Sequence, residues 1–279
     1  MKKYKIYQVD AFTDQLFGGN PAAVCPLDEW LDNNLLLKIA MENNLSETAF
    51  YVKRNNHYEI KWFTPTVEVN LCGHATLATA FVLFTCEGHS GNNIHLHSHR
   101  SGSLGVRRVP GQSQTSERSK SSADWFTLDF PVDEIRQVPI AGELSHCFDK
   151  KPIAAYKGQS DYLLLFENET DIAQIQPDLT LISKVNARGV IITARGEGVD
   201  FVSRFFAPQV GVAEDPVTGS AHTTLTPYWA EKLKKTELTA VQLSERRGYL
   251  QCKLLGNRVE ISGQAKLYSA GEIYLEDYH

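Results

Sequence analysis

A chain of 279 residues, 42% hydrophobic and 10% aromatic, can bury a full core in one large or two medium domains. Its formal net charge of −5 speaks against a nucleic-acid partner. The cysteines are five (Cys25, Cys72, Cys86, Cys147, Cys252), an odd number with no Cys-x-x-Cys, so they indicate neither a disulfide framework nor a zinc ribbon. A reduced, cytoplasmic setting follows.

In chain order, Lys3 to Phe12 alternates like a first strand, and Gln8, Asp10 and Asp14 interrupt any apolar signal core behind Lys2-Lys3. Phe17-Gly18-Gly19-Asn20-Pro21 is a turn, and Ala22 to Cys25 a short buried strand. Asp28 predicts an N-cap for a helix over Glu29 to Asn43, with Leu31, Leu35, Ile39 and Ala40 on its inner face. Strands follow at Thr48 to Lys53 and Tyr58 to Phe63, joined by Asn55-Asn56. Cys72-Gly73-His74 opens an apolar helix, Ala75 to Phe84, too short to span a bilayer. Ile94 to Ser98 and Gly102 to Val109 are strands, and the Ser/Gln-rich run at 110–123 reads as a flexible hairpin tip. Trp125 to Phe130 closes a first lobe (1–128), and a second (129–279) begins, whose last strand returns to the first. There the pattern gives a partly helical Ile135 to Phe148, a strand Tyr162 to Phe166 and a helical connector Asp178 to Val185. Strands Gly189 to Thr193 and Val199 to Phe206 precede a helix Ala221 to Lys235 that Pro227 should kink. Four closing strands run from Ala240 to Leu275, and the whole reads as α+β.

One stretch occurs twice, about 145 residues apart, far beyond any solenoid period. Trp62-Phe63-Thr64-Pro65 and Cys72-Gly73-His74-Ala75-Thr76 return as Phe205-Phe206-Ala207-Pro208 and Thr218-Gly219-Ser220-Ala221-His222. One strand–turn–helix unit used twice predicts two pseudo-symmetric lobes. Each aims a helix N-terminus, with its positive dipole end and open N–H groups, at something shared. Gly73 and Gly219 at those starts suit a carboxylate approaching the backbone, against the alternative of two ordinary glycine turns.

The differences between the copies matter as much. Asn44 to Phe50 lines up with Asn186 to Ile192, and Glu47 has no acidic counterpart there. A carboxylate before an apolar strand on one lobe alone is a candidate general acid/base, although taken by itself it reads first as a surface-turn residue. His74 suits an oxyanion contact or a proton shuttle, or a structural role at the helix start. Asp215 either meets substrate or His74, or bonds its own turn. Cys72 matches Thr218, and a threonine cannot ionise usefully near neutrality, so a symmetric two-thiol racemase is disfavoured and Cys72 reads as a minor participant or a buried hydrophobe. His95, His97 and His99 share one strand face, but no carboxylate or cysteine completes a metal set, and no metal is expected.

Asp10-Ala11-Phe12 with Gly18 to Val24, Asn44 to Phe50, Cys72 to Thr76 and Glu214 to Ala221 together resemble the PhzF family of phenazine-biosynthesis-like isomerases. The resemblance implies the diaminopimelate-epimerase fold, two pseudo-symmetric lobes each with a curved mixed sheet around a central helix. It implies a cofactor-independent isomerase, usually a homodimer, acting on a small carboxylate-bearing substrate. Its acid/base glutamate falls on Glu47, its site histidine, aspartate and serine on His74, Asp215 and Ser220, and its carboxylate-holding amides on Gly73 and Gly219, with Asn20, Cys72 and Thr218 in minor roles. The run at 110–123 looks like an insertion. Hydroxyproline dehydratases on a related branch also pair cysteine with threonine, so a dehydratase or lyase competes with an isomerase, and a non-catalytic ligand binder is the third reading.

Overall fold

A computed structural model describes residues 1–111 and 124–276. The expected hairpin tip at 112–123 lies outside the described residues. The chain divides into two compact units, 1–129 with 262–279, and 130–261. The strand that ends the described chain, Ala265–Leu275, thus belongs to the first unit.

In the first unit, β1 (Lys2–Ala11) pairs antiparallel with β2 (Asn20–Leu27) and, on its other edge, with β17 (Ala265–Leu275). Between β1 and β2 the chain turns at Gly19, whose φ is +61° and whose added Cβ would fall 2.0 Å from the Ala11 carbonyl oxygen. Only glycine fits there, and the turn delivers Asn20 to the head of β2. The helix α1 (Asn33–Asn43) starts four residues later than expected, because Asp32 rather than Asp28 caps it, accepting from Asn34 N at 2.8 Å. Trp30 is drawn off instead: its indole N–H donates to Glu59 at 2.6 Å and Lys61 lies 4.5 Å over its ring. The later start rotates the inner face, so Leu36 joins Ile39 and Ala40 against Cys25, Leu27, Phe50, Val52 and Phe63, while Leu35 lies at the margin. Burying a leucine of this kind contributes about 1.5–3 kcal/mol. At its end Asn44 takes the left-handed conformation (φ 48°) that asparagine tolerates and returns its N–H to Ala40 O.

Next, β3 (Glu47–Lys53) lies parallel to β2 and antiparallel to β4 (Tyr58–Phe63), which also pairs with the two-residue β5 (Glu68–Val69). The helix α2 (Gly73–Thr85) packs on β1, β2, β3 and β17 and is buried over nearly all its residues, which is why its sequence is apolar all round. β6 (Asn93–Ser98) runs parallel to β4, and β7 (Gly102–Val109) antiparallel to β6 and to β8 (Trp125–Pro131).

In the second unit, the stretch Ile135 to Phe148, expected to be partly helical, has one helical turn and a short strand that was not expected. It holds β9 (Arg136–Val138) and a 3-10 turn, Gly142–Ser145, with Pro139 and Gly142 breaking the helical spacing of its apolar residues. β10 (Ala154–Lys157), β11 (Asp161–Leu165), α3 (Glu169–Gln174) and α4 (Leu179–Ile182) follow, and then β12 (Gly189–Arg195) and β13 (Phe201–Phe206). The helix α5 (Ala221–Leu233) continues through Pro227. Proline cannot donate to Thr223 O four residues back, and that carbonyl accepts from Asp133 N at 3.2 Å instead. β14 (Glu237–Gln242), β15 (Gly248–Leu255) and β16 (Arg258–Gly263) complete the strands. Their core gathers Leu164, Phe166, Ile192, Val202 and Phe206 with Ile172, Ile175 and Ile182 of the connector.

The internal repeat extends to the strand pairing. From β17 through β1, β2, β3, β4 and β6 to β7, successive pairs are antiparallel, antiparallel, parallel, antiparallel, parallel, antiparallel. From β9 through β10, β11, β12, β13 and β14 to β15 the series is the same. Glu47 opens β3 opposite Ala22, and Gly189 opens β12 opposite Asp161, so Gly189 occupies the place of Glu47.

Candidate functional site

In the first unit, four side chains from three segments converge. Glu47 heads β3, Cys72 and His74 bracket the start of α2, and Asn20 heads β2. Glu47 Oε2 lies 3.1 Å from His74 Nε2, and the Asn20 amide lies 3.1 Å from His74 Nδ1 on the other side of the ring. Cys72 Sγ is 3.4 Å from Nδ1 and 3.9 Å from Nε2. His74 is 4% exposed and Glu47 16%, so the imidazole is sealed while the carboxylate keeps an open side. Cys72 is the N-cap residue in an extended conformation (φ −140°) and makes no side-chain cap bond to the first turn. Thr76 closes the turn by donating to Cys72 O at 2.6 Å.

Burial pushes the Cys72 thiol up to about 11, helped by the Glu47 carboxylate and opposed by His74. It is therefore a neutral thiol near neutral pH and a poor base. For His74 burial works against the cation, but Cys72 and Glu47 outweigh it and hold the imidazole well above its ordinary value. Since Cys72 keeps its proton, Glu47 is the charge that acts. A carboxylate and an imidazole 3.1 Å apart can pass a proton between them, with Asn20 fixing the ring.

In the second unit, the equivalent turn is locked internally. The Thr218 hydroxyl donates to Asp215 Oδ2 at 2.5 Å, and the Thr218 amide to Gln242 Oε1 at 2.9 Å. Gln242 Nε2 in turn donates to Asp215 O at 2.7 Å. The bond within its own turn, one of the two sequence readings of Asp215, is present. Ser220 is the N-cap of α5 and makes no side-chain cap bond; its Oγ accepts from Arg188 at 3.0 Å. Arg188 Nε donates to Asp161 at 3.0 Å, and a second nitrogen bonds the other carboxylate oxygen. Arg188 also lies 5.4 Å over the Phe205 ring. That ring explains why this unit lacks a glutamate: a Cβ on Gly189 would meet Phe205 Cζ at 2.3 Å.

The structure thus gathers Asn20, Glu47, Cys72 and His74, with Gly73, in one unit, and Asp215, Thr218 and Ser220, with Gly219, in the other. Sequence reasoning missed Arg188, Asp161 and Gln242. The one available signal was the cation beside Gly189 where Ser46 stands beside Glu47 in the first copy. His95, His97 and His99 are exposed and their donors do not converge, His99 pairing with Glu68 at 3.4 Å. Among the described residues, Glu47, Cys72 and His74 are the group whose donor atoms all lie within 4.8 Å of one another. Among the same residues no helix is long and apolar enough to cross a membrane.

A family model described as phenazine biosynthesis-like protein matches residues 9–271. The chain is 47% identical to a protein of Pseudomonas aeruginosa named as an uncharacterized isomerase, over 97% of this chain and 98% of that one. It is 36% identical to the mouse phenazine biosynthesis-like domain-containing protein 1, over 97% and 99%. A crystal structure of a PhzF family protein from Enterococcus faecalis superposes with a TM-score of 0.90 at 44% identity, covering 98% of this chain and all of that one. A hydroxyproline epimerase from Agrobacterium vitis superposes with a TM-score of 0.64 at 9% identity, covering 99% and 93%, which carries the epimerase-like fold alone.

Proposed function

The chain belongs to the phenazine biosynthesis-like protein family, and on that premise we propose that it is a cofactor-independent isomerase that moves a proton on a small carboxylate-bearing metabolite. The observation that carries this reading is the Glu47–His74 pair: a partly open carboxylate backed at 3.1 Å by a sealed imidazole. Glu47 takes a proton from an activated carbon of the substrate and returns it to another position. His74 compensates the carboxylate charge and, with Asn20, fixes where it points. Cys72, held as a thiol, stays out of the proton transfer.

Each unit has a helix start without a side-chain cap bond, α2 at Gly73 and α5 just after Gly219, and a start of that kind suits a carboxylate that gains enolate character. Because Ser220 Oγ accepts from Arg188, its own O–H is left to donate to a substrate oxygen. Asp215 holds the Thr218 turn that precedes α5. Elimination of water on the same residues is the competing reaction. A thermal-shift screen of small carboxylic acids, followed by mass analysis of the hits in heavy water, tests the assignment. Deuterium gain with retention of all oxygen atoms is expected, and loss of water would make the protein a lyase.

A further inference from the structure

We propose that Glu47, Cys72 and His74 form an inhibitory binding site for a thiophilic divalent cation of the Zn2+ class. Thiolate, imidazole and carboxylate are the donor types such an ion selects. Tetrahedral zinc with bonds of about 2.0–2.3 Å places its ligand atoms roughly 3.4–3.6 Å apart. Here His74 Nε2 stands 3.1 Å from Glu47 Oε2 and 3.9 Å from Cys72 Sγ, and all three donors fall within 4.8 Å of each other. The Glu47–His74 pair already stands near ligand spacing, and Cys72 Sγ, which lies 3.4 Å from Nδ1, reaches an ion on Nε2 by turning about its own Cα–Cβ bond.

Charge favours the same outcome. A divalent ion with one thiolate and one carboxylate is neutral overall, so a site this buried holds no uncompensated charge. Binding through Nε2 leaves Nδ1 to donate to the Asn20 side chain, whose amide can turn its oxygen toward the ring. The Cys72 thiol proton and the proton between His74 and Glu47 pass to solvent as the metal–ligand bonds form. All four residues belong to one unit and stand at the heads of β2, β3 and α2. The inhibitory consequence rests on the reading of Glu47 as proton carrier, whereas the binding itself does not. A bound ion would occupy the lone pair that the reaction needs.

Titration of the chelator-stripped full-length chain with Co2+ tests the site. One equivalent should bind with a thiolate-to-cobalt charge-transfer band in the near ultraviolet, and Zn2+ should displace it. The band should vanish in Cys72→Ser and in Cys72→Ala, each checked for folding by circular dichroism. In Glu47→Gln it should persist with affinity lowered at least about tenfold. Absence of the band at saturating Co2+ overturns the proposal. So does a band that survives loss of Cys72, since another cysteine would then be the ligand. Failure of Glu47→Gln to slow proton exchange would sink the catalytic reading and leave the Co2+ result standing.

Discussion

Replacing Glu47 by Gln keeps the size of the side chain and its ability to hydrogen-bond, but removes the group that carries a proton. His74 Nε2 would still find an amide oxygen at the 3.1 Å position, so α2 and β3 should hold their places. An acid/base group of this kind is worth roughly a hundred- to ten-thousand-fold in rate. That corresponds to about 2.7–5.5 kcal/mol in the barrier. On the proposed reading substrate affinity should change little, because the backbone amides at the start of α2 are untouched. Two assays separate chemistry from structure. Single-turnover kinetics on a confirmed substrate should show the fall in the chemical step with an unchanged dissociation constant. Imidazole NMR should show His74 titrating lower in the variant: burial pushes it down, and the carboxylate that opposed burial is gone. An unchanged rate would refute the mechanism and make Asp215 the next carboxylate to test. An equal loss of rate and affinity would recast Glu47 as a binding residue.

Further consequences can be checked in the same way. Asp161→Asn leaves the half-exposed Arg188 cation without its buried counter-charge, and chemical denaturation should show a loss of about 1–3 kcal/mol; no loss would mean that the pair contributes nothing net. Gly189→Ala forces a methyl against the Phe205 ring and should cost about 1–3 kcal/mol, measured the same way, with a neutral result showing that the ring moves freely. Burial holds His222 down to about 4 despite its bond to Thr218 O, so the unfolded chain protonates first as pH falls. Its contribution is full above the unfolded value of 6.5 and is lost progressively down to about 4, a difference of about 3 kcal/mol. His222→Gln should flatten that part of the stability curve, and an unaltered slope would contradict the assignment.

The repeat was legible because both copies keep the same physical punctuation. An aromatic pair and a proline end a strand, and a glycine stands at or just before the start of a helix whose N-cap makes no side-chain bond. From that, the correspondence of Glu47 with Gly189 could be drawn before any pairing was known, and the strand register reproduces it. The start of α1 was not legible, since Asp28 and Asp32 have the same capping chemistry and the contacts of Trp30 with Glu59 and Lys61 decide between them. Nor was β9, whose apolar spacing imitates a helix until Pro139 and Gly142 are weighed as breakers. The Arg188–Asp161 pair joins residues made neighbours by the parallel register of β11 and β12, and no local pattern announces that. The same holds for the donor set at His74. Sequence singled out Glu47, Cys72 and His74 one by one and weighed only the histidine stripe on β6 as a metal set, expecting none, whereas the fold brings a strand head and a helix start together.

The claim that this protein moves a proton on carbon is tested most directly by solvent exchange. A carboxylic acid found to bind the protein is incubated with it in heavy water, and its carbon-bound hydrogens are followed by NMR. Deuterium should enter at a carbon position in the presence of the wild-type chain and enter at least about a hundredfold more slowly with Glu47→Gln. A ligand that binds tightly and exchanges no carbon-bound hydrogen would contradict the account and leave a protein that holds its carboxylate without transforming it.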